Sequence, residues 1–138
     1  MTQADLTEIT KAGTQPAMAG LAEWFTSTVS VQPLFGITED RSFGAASVTF
    51  LPGARTHWHT HPKGQTMIVT AGVGWTQTRD GVRHEFQAGD VIWCPADIPH
   101  WHGATDCCAM THIALNEARD GSVVTWLEPV TDAEYLGE

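Results

Sequence analysis

The chain has 138 residues, of which 42% are hydrophobic, so it can bury one core but is too short for two ordinary domains. Sixteen acidic residues against seven basic ones give a formal net charge of -9, which argues against nucleic acid or an anionic membrane as a partner. Neither a signal peptide nor a membrane span is expected, because the N-terminus lacks a basic segment and the most apolar run, MIVTAGVGW, is short.

The predicted elements begin after residues 1–20, which we expect to form a loosely ordered N-terminal arm before one barrel domain at residues 21–138. Short runs rich in β-branched and aromatic residues then follow one another, separated by turn-forming residues, which predicts an all-β sandwich or barrel. The pair Asp80-Gly81 marks a hairpin turn between two such runs. Near the end, TDAEYL has a capping threonine and predicts a short helical turn.

Six of the seven histidines fall in three of the predicted strands, where side chains alternate between two faces. Alternation predicts that the members of each of three sets share a face: His57, His59 and His61; His100 and His102; and Met110, His112, Ala114 and Asn116. Single histidines are commonly ordinary core residues. Several on concave strand faces, however, are typical of a site for Zn, Mn, Fe, Ni or Cu.

Two motifs in the chain resemble those of the cupin superfamily. The first is a glycine, His-x-His, a glutamate and a glycine at set spacings, and it is filled by Gly53, His59, His61, Gln65 and Gly72, with glutamine for glutamate. The second is met by Gly89, Pro95 and His100, whereas Asp97 and Ala104 replace its later glycine and asparagine. The resemblance implies a single-domain double-stranded β-helix, or jelly-roll barrel. It also implies that the metal ligands are His59, His61, Gln65 and His100.

The glutamine in this ligand set affects the expected chemistry. Three neutral imidazoles and one amide leave the charge of a divalent ion undiminished, so the ion acts as a stronger Lewis acid. It then lowers the pKa of a bound water or hydroxyl group. Redox chemistry is less favoured, because no anionic protein ligand offsets a higher oxidation state. Neutral nitrogen and oxygen donors do not by themselves name the metal.

Within the cupins, the chain is similar to the small bacterial hydroxynitrile lyases that use manganese, from about Ala22 to Tyr135. The similarity is carried by AEWFTSTVSVQPLF, GAASVTFLPGARTHWHTHPKGQTMIVTAGVGW, GDVIWCPADIPHWHGA, AMTHIALNE and WLEPVTDAEY. It implies reversible cleavage of cyanohydrins such as (R)-mandelonitrile to an aldehyde and hydrogen cyanide. It also implies Mn(II) as the ion, with Fe, Zn or Ni as alternatives.

His102 and His112 fall on positions expected to face the barrel interior. They are therefore the candidates for acid and base catalysis in such a reaction, and the sequence does not decide which takes which role. The expected substrate pocket contains Ala46, Val48, Thr56, Asn116 and His57. The hydroxynitrile lyases tend to have a small residue where His57 stands and a glutamine where Asn116 stands, which puts the substrate in doubt more than the metal site.

Three alternative functions stay open. A quercetinase-like dioxygenase is the main enzymatic one, and a cupin that rearranges unsaturated uronates would need a carboxylate clamp, for which Arg55 is the only nearby basic candidate. The third is a non-catalytic, small-molecule-binding barrel.

The chain is expected to work as a homodimer or homotetramer, with TVSVQPLFGI as an edge strand that a neighbour covers. Three cysteines, two of them adjacent, make a poor disulfide framework. We therefore expect a reducing compartment, most simply the cytoplasm.

Overall fold

The computed structural model describes residues 6–138. Its strands are β1 (Met18–Ala19), β2 (Phe25–Thr26), β3 (Val29–Phe35), β4 (Phe43–Phe50), β5 (Arg55–Thr56), β6 (His59–Thr60), β7 (Gln65–Thr78), β8 (Arg83–Gln87), β9 (Val91–Cys94), β10 (His100–Ala104), β11 (Met110–Glu117) and β12 (Thr125–Trp126). One helix, α1 (Asp132–Leu136), follows near the C-terminus. The all-β jelly-roll prediction with a C-terminal helical turn is confirmed.

The strands form two antiparallel layers that share the long strand β7. The first half of β7 pairs with β11 and β9, and β11 continues through β4 to β3 and β1. The second half of β7 pairs with β10 and β8, and β10 continues to β5, β2 and β6. Gly72 lies where β7 passes between the layers, at φ 77°. A Cβ there would collide with the carbonyl oxygen of Ala109, so only glycine fits.

A hydrophobic core forms between the layers, and Phe50 is fully buried in it. Met67, Cys94 and Ala114 form a smaller apolar cluster on the inner face of the first layer. Phe50 of the larger cluster packs against His102 and His112, so apolar side chains contact the polar site. Such packing excludes water and holds the site residues in single conformations.

The C-terminal helix covers the outer face of the second layer. Thr131 caps it in a capping box with Glu134, as its sequence predicted. The Tyr135 hydroxyl donates to the carbonyl oxygen of Ala104 over 2.6 Å, inside a cluster that includes Trp58, Trp75 and Trp101. The outward side of β10 is thereby buried, which leaves its other face to the barrel interior.

The N-terminal segment was expected to be a loose arm through residue 20. Residues 1–5 of that arm lie outside the described residues. Met18 and Ala19 form β1 and pair with β3, so the sheet begins slightly before the expected boundary. Within residues 6–138, the structure contains no helix with the length and apolar character needed to cross a membrane.

Candidate metal and catalytic site

Three buried histidines converge inside the barrel. His59 and His100 face each other on the paired strands β6 and β10, with ring centroids 4.3 Å apart. His61 follows two residues after His59 and joins them. Their candidate ligand atoms all lie within 4.8 Å of one another, and the three side chains are 1–3% exposed. This group could hold a metal ion, and its three histidines are among the ligands that the cupin resemblance implied.

Each of the three imidazoles is oriented by a backbone carbonyl group. The Nδ1 atoms of His59, His61 and His100 donate to the carbonyl oxygens of His57, Val123 and Ile98 over 2.8, 2.7 and 3.0 Å. Because a carbonyl oxygen only accepts, each Nδ1 carries the hydrogen and each Nε2 presents a lone pair. The carbonyl groups thus set the tautomer that metal binding requires.

Gln65 completes the cluster from the start of β7. Its Oε1 atom lies 3.3 Å from Nε2 of His100, and the buried Nε2 of His61 has no hydrogen-bond partner among the described residues. With Nδ1 protonated, His100 in its neutral form offers a lone pair towards an oxygen that also offers lone pairs. A cation between them would satisfy all of these atoms, so the residues fit a bound metal ion.

Burial keeps these histidines neutral. Desolvation lowers the pKa of His59 well below its usual value of 6.5, and the neighbouring His100 and His61 lower it further. Desolvation also lowers the pKa of His61, and it lowers the pKa of His100 to about 4. At neutral pH all three are therefore unprotonated, and no proton has to leave before they bind an ion.

A second pair of histidines bridges the two layers beside the cluster. Nε2 of His112 on β11 lies 3.2 Å from Nδ1 of His102 on β10, so one ring donates an N–H hydrogen bond to the other. The outer atoms, His102 Nε2 and His112 Nδ1, are buried and have no partner among the described residues. Burial lowers the pKa of His112 to about 4 and that of His102 well below 6.5, the latter with a further contribution from His112. The pair can accept a proton at one outer atom and release one at the other.

An apolar cavity of about 120 Å³ contacts both groups of histidines. Its lining consists of Phe25, Ala46, Val48, Phe50, Thr56, His59, His61, Gln65, His102, His112, Ala114, Asn116, Val124 and Trp126. A larger groove of about 500 Å³ lies along β8 and β9, but it contacts only His100 of these histidines. The smaller cavity is therefore the one in which a ligand could reach the cluster and the pair together.

The structure changes one part of the predicted pocket. Ala46, Val48, Thr56 and Asn116 line the cavity, whereas His57 does not. The extended chain is interrupted between β5 and β6, since the backbone N–H groups of His57 and Trp58 donate to the distant carbonyl oxygens of Trp24 and Glu128. The alternation shifts by one residue there, so the prediction that His57 shares a face with His59 and His61 is wrong.

The same shift turns Arg55 away from the cavity. Its guanidinium group donates to the carbonyl oxygen of Val130 and pairs with Asp132 over 2.8 Å, and it lies over the ring of Tyr135. Arg55, the basic candidate for a carboxylate clamp, therefore does not line the cavity. No carboxylate clamp remains for the uronate alternative in the residues that line the cavity.

Part of the cavity wall comes from segments that the sequence reasoning did not connect with the site. Phe25, Val124 and Trp126 form the wall opposite β4, and the Trp126 ring packs against His59 with centroids 4.9 Å apart. Trp24 stacks on the other side of Trp126 at 5.6 Å. These residues are far from the histidine motifs in the chain and carry no metal-binding pattern, so only the fold brings them to the site.

Comparisons with known proteins agree with this architecture. The Cupin domain family matches residues 46–113. The chain is 52% identical over 128 residues to an (R)-mandelonitrile lyase from Granulicella tundricola, covering 93% of this chain and 98% of that protein.

Solved structures resemble the fold as well. A cupin-like protein from Thermotoga maritima has a TM-score of 0.79 and 35% identity, over 95% of this chain and 96% of that one. A cupin 2 conserved barrel domain protein from Rhodopseudomonas palustris has a TM-score of 0.69 at 16% identity, over 96% and 90% of the two chains. On its fold, its histidine cluster and these relatives, the chain belongs to the cupin family.

Proposed function

We propose that the protein is a metal-dependent hydroxynitrile lyase that reversibly cleaves (R)-cyanohydrins such as mandelonitrile to an aldehyde and hydrogen cyanide. The observation that carries this proposal is that one apolar cavity contacts both a metal-binding cluster and a separate histidine pair with free outer nitrogens. The name of the relative from Granulicella tundricola supports the substrate and its handedness.

The metal ion would be held by the Nε2 atoms of His59, His61 and His100 together with the side-chain oxygen of Gln65. We propose Mn(II), with Fe, Zn or Ni as alternatives that the same neutral donors would accept. When bound, the ion supplies Lewis acidity that favours the deprotonated form of a substrate hydroxyl group. Because all four protein donors are neutral, the charge of the ion is not offset by a carboxylate.

The histidine pair would move the proton of the reaction. An outer nitrogen of His102 or His112 accepts the hydroxyl proton while the carbon–carbon bond breaks and its electron pair leaves with cyanide. The carbonyl group of the aldehyde forms in the same step. The protonated pair then gives its proton to cyanide, so hydrogen cyanide is released and both histidines return to neutrality. The low pKa of both rings favours this return.

The cavity walls would hold the organic part of the substrate. Val48, Phe50 and Trp126 provide apolar surface beside the histidines, and Phe50 contacts both His102 and His112. An aromatic ring suits such a wall, because it buries apolar area without requiring hydrogen bonds. Thr56 accepts a hydrogen bond from the backbone N–H of His102, which keeps that strand and its histidine in place.

The test is benzaldehyde release from racemic mandelonitrile at mildly acidic pH, with metal-stripped protein compared with protein reloaded with Mn, Fe, Ni or Zn. We expect metal-dependent release that consumes the (R) enantiomer. Substitution of His112 by Phe should abolish release and leave metal content unchanged, whereas His84→Gln, an exposed position, should alter neither. No release with any metal would overturn the proposal, and oxygen consumption would favour the dioxygenase alternative.

We also propose that the chain forms a homodimer or homotetramer and works in the cytoplasm. In the expected edge segment TVSVQPLFGI, β1 pairs with β3 only at Ser30 and Val31, so much of that edge stays open to a neighbour. Ile68, Val91 and Trp93 add exposed apolar side chains on the outer face of the first layer. Two copies of a chain with a net charge of -9 repel each other, so they are expected to associate through uncharged apolar side chains such as these. Cys107 and Cys108 are exposed free thiols, which suits a reducing compartment.

A further inference from the structure

The cavity of the proposed active site shares two lining residues with a second pocket. Ala46 and Asn116 line both the inner cavity of about 120 Å³ and an outer pocket of about 210 Å³. Ala46 lies in the middle of β4, and Asn116 lies near the end of the paired strand β11, where it is the register partner of Gly44. Because these two residues line both pockets, the pockets are neighbours. We call the boundary between them at Asn116 the throat.

The outer pocket is apolar and open. Its other lining residues are Gly36, Ile37, Gly44, Ala45 and Val123, none of which is charged. Ile37 is 46% exposed, although a side chain of its size gains free energy when it is buried. A Cβ atom on Gly36 would meet no other atom within 4 Å. The pocket therefore has apolar walls and free volume at its rim.

The inner cavity is too small for much more than one aromatic ring. An engineered protein cavity of about 150 Å³ holds one benzene molecule, and the inner cavity, at about 120 Å³, is of the same order. A substrate that places its reacting carbon beside His102 and His112 must therefore extend any further substituent through the throat. The Oδ1 atom of Asn116 is buried there without a partner among the described residues.

We infer that the outer pocket is a second substrate subsite, which binds the apolar substituent of an aryl aldehyde or aryl cyanohydrin larger than benzaldehyde or mandelonitrile. This inference rests on the proposed function for the orientation of the substrate. It deepens that function by naming its substrate class as aryl compounds that carry an apolar group at the far end of the ring. Gly36 and Ile37 are then specificity-determining residues.

Calorimetric binding of two aldehydes to the Mn-loaded protein, without cyanide, tests the inference. We expect 4-isopropylbenzaldehyde to bind about tenfold more tightly than benzaldehyde, since its three extra carbons are partly buried in the outer pocket. Gly36→Leu should bring this ratio close to one, because the added side chain occupies the same space. Gly36 does not have the positive φ that would make a side chain strained.

Two further variants complete the design. Ile37→Ala removes apolar wall and should lower the ratio severalfold, whereas Ala88→Leu places the same new side chain on an exposed turn and should keep the ratio near ten. A wild-type ratio near one, or a ratio that survives Gly36→Leu, would overturn the subsite.

The binding assay also separates the two proposals. If Gly36→Leu abolishes the preference but mandelonitrile is not cleaved with any metal, the subsite stands and the lyase function falls. If mandelonitrile is cleaved and the ratio is the same in all variants, the lyase function stands and the subsite falls.

Discussion

Acidification should destabilise the metal-free protein far more than its surface charges would suggest. Burial lowers the pKa of His100 and of His112 from 6.5 to about 4 in the folded state. The unfolded chain therefore binds protons at these residues first as the pH falls. Between about pH 6.5 and about pH 4 it holds more protons than the folded chain, so the free energy of unfolding falls with falling pH.

The size of the effect follows from the two shifts. A decrease from 6.5 to about 4 corresponds to about 3 kcal/mol for each histidine at about 1.36 kcal/mol per pKa unit. Together they amount to about 6–7 kcal/mol, which is comparable with the whole stability of a typical domain of about 5–15 kcal/mol. The pKa values of His59, His61 and His102 are lowered in the same direction. A loss of about 4 kcal/mol is already expected from His100 and His112 at about pH 5.

Urea unfolding of the metal-free protein, followed by tryptophan fluorescence at about pH 7.5 and about pH 5, measures this difference. His112→Gln removes one titrating group and should reduce the loss by about 2 kcal/mol. His84→Gln changes an exposed histidine and serves as the matched control. Equal free energies of unfolding at the two pH values would refute the conclusion that the buried histidines are neutral in the folded state.

Three other predictions concern the ligand set, the thiols and the assembly. Gln65→Glu should tighten Mn(II) binding about tenfold or more in a chelator competition and slow mandelonitrile cleavage, because a carboxylate offsets the charge of the ion; faster cleavage would contradict this role. Two thiols, Cys107 and Cys108, should react with a thiol reagent in the native protein. Cys94 should react only after unfolding, because burial raises its pKa to about 12, and three reactive thiols in the native state would show otherwise. Trp93→Glu should convert the native oligomer into monomers by light scattering, an expectation that fails if the unmodified protein is itself monomeric.

Where the chain is a regular strand, the sequence predicted correctly which side chains face the barrel interior. In β10, His100 and His102 face the interior while Trp101 packs under the C-terminal helix. In β11, Met110, His112 and Ala114 are all buried on the inner side. Side-chain alternation is a local property of an extended backbone, so it can be read without knowledge of the rest of the fold.

Where distant segments determine the backbone, the sequence could not predict the site. His57 and Trp58 bond to residues more than thirty positions away along the chain, and this interrupts the alternation that would have placed His57 beside His59. Val124 and Trp126 reach the cavity because β12 pairs with β6, a contact that no local pattern encodes. The pocket walls were therefore less predictable than the candidate metal ligands, which lie in two short motifs.

The hydrogen bond from His61 to the carbonyl oxygen of Val123 has a consequence for biosynthesis. Val123, whose carbonyl group orients His61, is synthesised 62 residues after that histidine. During translation, His59 and His61 emerge long before the segment that fixes their ring positions and closes the cavity. We therefore expect that the ion is captured tightly only after synthesis is complete, so the metal content of the protein depends on which ions surround the finished, folded chain.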